Sequence, residues 1–217
     1  MLASSLFLYS VDQDKSTRVT DGLSEVTQPA FDKSGKYLYA FASTDAGPLQ
    51  DWFAQSNLDF RRTRSVYVVV LRKDLPNPLA KESDEEKVIA KRDSARRDSA
   101  RVIQAGAPAA DAGTRAADPP LMRIDFDGIE YRIVALPIPA AELSGLTAGD
   151  AGQVYFVRET DGKNVLHRYY LNKRKDETVL PEVDQYELSA DSKKILYRQA
   201  RNWFVVPTTG PVTTRCR

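Results

Sequence analysis

One recurring phrase restricts the fold of this chain more than any other feature. FDKSGKYLYAFA, Phe31 to Ala42, is a polar turn running into a strand of alternating aromatic and small residues. It returns as LSADSKKILYRQA, Leu188 to Ala200, and more loosely as TAGDAGQVYFVRE, Thr147 to Glu159. Aligned on Gly35, Gly152 and Ser192, each turn leads into a strand (Lys36 to Tyr39, Gln153 to Phe156, Lys193 to Leu196). A short segment precedes each turn: Gln28 to Phe31, Leu143 to Leu146 and Gln185 to Leu188. The unit is therefore a hairpin, and the chain uses it several times.

Two more strand types follow each hairpin. Ser65 to Lys73, Asn164 to Arg174 and Asn202 to Pro207 form one set, which Ser5 to Asp12 joins without a hairpin before it. Ser16 to Gly22, Glu130 to Pro139 and Glu177 to Val183 form an outer set. Asp21-Gly22, Asp127-Gly128 and Asp161-Gly162 supply the positive φ that tight hairpin turns need. Four antiparallel strands repeating at about forty residues make a propeller blade. The chain is thus expected to be all-β: the outer half of one blade, two whole blades and most of another. Closed propellers have roughly four to eight blades. A ring this incomplete implies a fragment, or a ring completed by other copies.

Two insertions stretch the first complete unit, residues 45 to 62 and 75 to 123. The second is charged and rich in Ala and Pro, and carries a small duplication, KRDSAR then RRDSAR. Ser83 with Glu86 fits a capping box, so a short helix over about 84–104 is expected, followed by a flexible stretch. Its eight acidic and eight basic residues between Lys81 and Asp118 cancel, which favours a solvated insertion over a docking arm. Residues 208–217 read as an irregular tail, and the whole of 1–217 as one partial propeller.

Composition removes several function classes. Lys plus Arg number 31 against 30 Asp plus Glu, so no global field favours nucleic acid or an anionic membrane. One cysteine (Cys216) and one histidine (His167) cannot build a disulfide or a common zinc site. No signal peptide or apolar membrane span is visible, which favours a cytoplasmic location. AGAPAADAG lacks the Lys-Ser/Thr of a phosphate loop, and no cofactor is expected. His167 lies mid-strand without a Gly-x-Ser-x-Gly elbow anywhere, so it reads as a packing residue rather than a triad base. Asp125 and Asp127 lack calcium-loop spacing. No catalytic residues are identifiable. What remains for contact with a peptide or partner is Trp52-Phe53 in the loop DWFAQ and the basic cluster Arg61, Arg62 and Arg64.

Taken in order, DGLSEVTQPAFDKSGKYLYAFAST, RSVYVVVLRKD, SDEEK, IDFDGIEYRIVALP, VLHRYYLNKRKDETVL and ELSADSKKILYR resemble the later blades of the second, seven-bladed propeller of tricorn-type serine proteases. The resemblance runs from about Ser5 to Val206. It implies a non-catalytic propeller in a larger assembly, with cleavage in later PDZ-like and protease domains whose motifs have no match here. Peptides or unfolded polypeptide, and other domains or copies of such an assembly, are the partners it implies. The role implied is peptide access, gating, docking or assembly. The other reading is a free-standing propeller-type interaction module that oligomerises.

Overall fold

The computed structural model describes residues 4–48, 60–80 and 122–209, with side chains for all of these except 44–48 and 60–62. Trp52, Phe53, the expected helix over 84–104 and Cys216 lie outside the described residues.

Thirteen strands form four antiparallel sheets among the described residues. The first has two strands, β1 (Phe7–Ser10) and β2 (Lys15–Arg18). The second holds β3 (Glu25–Phe31), β4 (Tyr37–Pro48), β5 (Phe60–Val70) and β6 (Ile133–Ala135), in that order. The third holds β7 (Leu143–Ala148), β8 (Gln153–Thr160), β9 (Lys163–Tyr170) and β10 (Lys175–Leu180). The last holds β11 (Gln185–Leu188), β12 (Lys194–Gln199) and β13 (Asn202–Pro207). Chain order equals sheet order throughout, the meander expected of successive blades.

The core lies between sheets, in three seams. Alternation sends successive side chains of a strand to opposite faces, and here both faces are apolar. In β8, Val154 and Phe156 enter the seam with the second sheet, while Tyr155 and Val157 enter the seam with the last. In β4, Leu38 faces the first sheet and Tyr39 and Phe41 face the third. The first seam is closed by Leu6, Leu8, Val19, Val69, Leu71 and Ile129. The second gathers Tyr39, Phe41, Val66, Val68, Val154 and Phe156, all essentially inaccessible. The third gathers Leu166, Leu180, Val183, Ile195 and Tyr197 around Tyr155 and Val157. Each side chain of this size stabilises by about 1.5–3 kcal/mol when withdrawn from water. The aromatics thus pack between the sheets.

The repeat's turn is set by its backbone. Gly35, Gly152 and Ser192, the three aligned positions, all have positive φ (67°, 75° and 56°). Beyond the turn the alignment slips by one residue. Asp32 N donates to Tyr37 O and Ser189 N to Lys194 O, five residues on, but Gly149 N donates to Gln153 O, only four on. The middle turn is one residue shorter, so Tyr155, and not Phe156, corresponds to Leu196. The cause is steric: a Cβ on Gly149 would lie 2.5 Å from the Tyr155 ring, so the short turn fits only around glycine.

Three details correct the sequence reading. Asp161-Gly162 does make a two-residue hairpin, with φ of 52° and 73° between paired Thr160 and Lys163. Asp127-Gly128 does not: Gly128 caps a 3-10 helix, Ile129–Arg132, that seats Ile129 in the first seam. The outer strand expected over Glu130 to Pro139 shrinks accordingly to Ile133–Ala135. The first insertion is also not a loop from residue 45. Asp45 pairs with Thr63 and Pro48 with Phe60, so its ends lengthen the β4–β5 hairpin past a bulge.

Candidate functional site

Three local arrangements place chemistry on this scaffold. The first joins the turns of three sheets. Asp32, only 2% exposed, accepts the backbone N–H of Ser34 (2.9 Å) through one oxygen. Its other oxygen accepts the N–H of Gly152 on the next sheet at 2.7 Å and the Tyr39 hydroxyl at 3.3 Å. Lys33 reaches further, donating to Ala190 O (2.8 Å) and Ser192 Oγ (2.5 Å) on the last sheet, with Asp150 at 3.9 Å. One Asp-Lys pair therefore pins the turns of the second, third and last sheets.

The second is the cluster around His167. Its ring stacks on Phe156 at 5.5 Å between centroids, and Nδ1 lies 2.9 Å from Asp176. Arg158 donates to the other oxygen of that carboxylate (3.1 Å) and stands over the Phe156 ring. Burial acts to raise the Asp176 carboxyl, but hydrogen bonds and charge from His167 and Arg158 outweigh it and hold the group below the usual carboxylate range. Through Nδ1, His167 ties the outer strand β10 to β9.

The third is the long β4–β5 hairpin, which carries the basic cluster. Arg64 bonds Ala141 in both directions through its backbone (2.8 and 3.2 Å), and its guanidinium donates to Leu143 O at 3.0 Å. Its half-buried side chain braces the second sheet against the third. Arg61 and Arg62 pair by backbone with Gly47 and Ala46, on the same hairpin.

Asp125 and Asp127 hold the start of the 3-10 segment. Asp125 accepts Lys73 N–H at 3.0 Å, and Asp127 pairs with the Lys73 ammonium. Among the described residues no group of three or more His, Cys, Asp or Glu converges as a metal site would require.

A cavity of about 410 Å³ opens between the first two sheets. Val26, Ala40, Ala42, Tyr67 and Val69 form an apolar floor, and the exposed Asp21 and Glu130 stand among its lining. Among the described residues the two-stranded first sheet covers only part of the four-stranded sheet beneath it, and β1 has no strand paired on its other side. Nothing in the sequence signals this cavity. It depends on two short side chains, Ala40 and Ala42, that only the strand register brings over the seam.

Successive antiparallel sheets stacked face to face, each feeding the next in chain order, define a segment of a β-propeller. A family model described as the tricorn protease second beta propeller domain matches residues 1–209, and the chain belongs to that family. Among solved structures it superposes on the crystal structure of the tricorn protease with a TM-score of 0.62 at 19% identity, covering 94% of this chain and 18% of that one. TolB from Acinetobacter baumannii aligns over 93% of this chain and 45% of its own, at 13% identity and a TM-score of 0.31. No curated protein matches. The chain therefore spans 18% of the length of the tricorn protease chain it matches, and that likeness concerns fold.

Proposed function

We propose that this chain is a non-catalytic docking segment that holds extended, unfolded peptide within a tricorn-type assembly. The observation that carries the reading is the apolar cavity over Ala40 and Ala42, beside a strand edge that is unpaired among the described residues. An extended peptide gains affinity from main-chain hydrogen bonds to such an edge and specificity from a pocket for alternate side chains. Asp21 and Glu130 favour a basic residue next to an apolar one. Arg61 and Arg62, with Trp52 and Phe53 earlier in the sequence, are the second proposed contact, suited to a peptide carboxylate.

Fluorescence anisotropy with labelled, unstructured peptides carrying an apolar-basic pair tests this. The 217-residue chain binds them at micromolar concentration, and Ala42→Leu, which fills the cavity, weakens binding by about tenfold, roughly 1.4 kcal/mol. An unchanged affinity in folded Ala42→Leu, or no binding by the parent chain, overturns the reading. Arg61→Ala with Arg62→Ala separates the hairpin's share from that of the cavity.

A further inference from the structure

Stacked repeats ordinarily touch only their neighbours, so each interface contributes separately and can open by itself. Among the described residues the apolar seams obey that rule. The second joins the second and third sheets, the third joins the third and last, and the two share no side chain. Lys33 breaks it. From the turn between β3 and β4 it passes the turn of the third sheet, with Asp150 at 3.9 Å, and donates to Ala190 O (2.8 Å) and Ser192 Oγ (2.5 Å) on the last sheet. Those acceptors stand 157 and 159 positions along the chain, two sheets on.

Both ends of this link are firm. Ser192 is buried with a positive φ of 56°, and its carbonyl accepts the Thr208 hydroxyl at 2.8 Å. At the other end, the preceding residue Asp32 is buried and accepts the Gly152 N–H of the third sheet at 2.7 Å. Two consecutive residues thus hold the two following sheets, one each. Asp150 is more than half exposed, so its ion pair adds little, and the two hydrogen bonds from a charged donor carry the link.

We propose that Lys33 is a strap that couples the two seams, so that the second, third and last sheets open as one cooperative unit. When the third sheet swings from the second, the bond between Asp32 and Gly152 breaks, and Lys33 is drawn from Ala190 and Ser192 in the same movement. The last sheet, in turn, leaves the third only after it has released a lysine of the second. This does not depend on peptide docking and is read out separately from it.

Native-state hydrogen exchange on the full 217-residue chain tests it. The amides of Phe156 and Val157 on β8 report the third sheet, and those of Leu196 and Tyr197 on β12 the last. In the parent chain both groups are expected to exchange through one opening, with the same dependence on denaturant. Lys33→Met keeps the stem and removes the donors. It is expected to speed the β12 amides by about tenfold, as the loss of hydrogen bonds to a charged group implies, and to leave the β8 amides behind. Asp150→Asn is expected to change either group by about twofold or less. Parent amides that already exchange in two separate steps overturn the proposal. So does a Lys33→Met chain in which β12 is unchanged, or in which both sheets speed up equally, as a bond serving only its own turn would give. An Asp150→Asn chain as fast as Lys33→Met overturns it too, since the link would then be an ion pair to the third sheet.

Discussion

The second and third seams are built from the same repeat and held by different means. The second is mainly apolar, with Tyr39, Phe41, Val66 and Val68 against Val154 and Phe156, and apart from the Arg64 guanidinium its polar links run through backbone donors. Asp32 takes the N–H of Gly152, and Gln28 takes the N–H of Leu146 at 2.9 Å. In the third, the position of Val68 is occupied by Arg168, whose guanidinium stacks on Tyr170 at 4.6 Å and donates to Thr208 O at 2.8 Å. Gly145, where Gln28 stands in the earlier repeat, offers its carbonyl to the Tyr186 hydroxyl. Both Gln28 and Gly145 occupy strand bulges with positive φ (52° and 61°). The bulge is thus the constant element. Which partner satisfies the backbone group that it frees is chosen separately at each seam.

Removing the rings that fill each seam sets the two apart most strongly. Phe156 and Tyr197 occupy equivalent, inaccessible positions in the second and third seams. Phe156 sits in a sheet packed on both faces, so Phe156→Ala leaves a gap that cannot collapse and costs about 3–5 kcal/mol. Among the described residues the last sheet is covered on one face only, so Tyr197→Ala lets it settle toward the gap and costs less. Urea unfolding of both variants measures the difference. Equal costs would mean that the last sheet is held as rigidly as its neighbour, and the comparison would fail.

A polar substitution comes next. Asp32→Ala strands the Gly152 N–H and frees the Lys33 staple's own turn, at a cost of about 1–3 kcal/mol. Ser189, its counterpart on the last sheet, bonds only within its own turn, to Asp191 at 2.6 Å and Lys194 N at 2.9 Å. Ser189→Ala therefore costs about 0.5–1 kcal/mol or less. Hydrogen exchange at Gly152 accompanies the first substitution and not the second.

The sheets were legible in the sequence and the seams' links were not. The strands show as continuous apolar runs in LYAF, VYFV and ILYR, because sheets buried on both faces leave apolar residues at consecutive positions, and their order follows from the repeated hairpin. The long hairpin escaped notice because DAGP carries no strand signal; its pairing comes from the partner strand. Asp127-Gly128 misled because Asp-Gly suits a 3-10 entry as well as a hairpin. The Asp32 to Gly152 bond spans 120 positions, and nothing local to either residue announces it. Arg64 stood out by charge, yet its guanidinium braces a neighbouring strand's carbonyl, a contact visible only once the sheets are stacked.

The smallest effects give the sharpest contrast. Tyr186, in the third seam, donates its hydroxyl to Gly145 O, whereas the hydroxyl of Tyr169, in the second, has no hydrogen-bond partner among the described residues. Tyr186→Phe leaves the bulge carbonyl unsatisfied and costs about 1 kcal/mol, while Tyr169→Phe is close to neutral or slightly stabilising. Alkaline unfolding adds an independent reading. Burial pushes the Tyr186 phenol well above its ordinary value. The unfolded chain therefore gives up that proton first as pH climbs past about 10, so this contribution is complete below that value and declines above it. Tyr186→Phe should flatten the decline at high pH as well as lower stability at neutral pH. If Tyr169→Phe proves the costlier of the two, the apolar seam hides a polar partner and the contrast between the seams disappears.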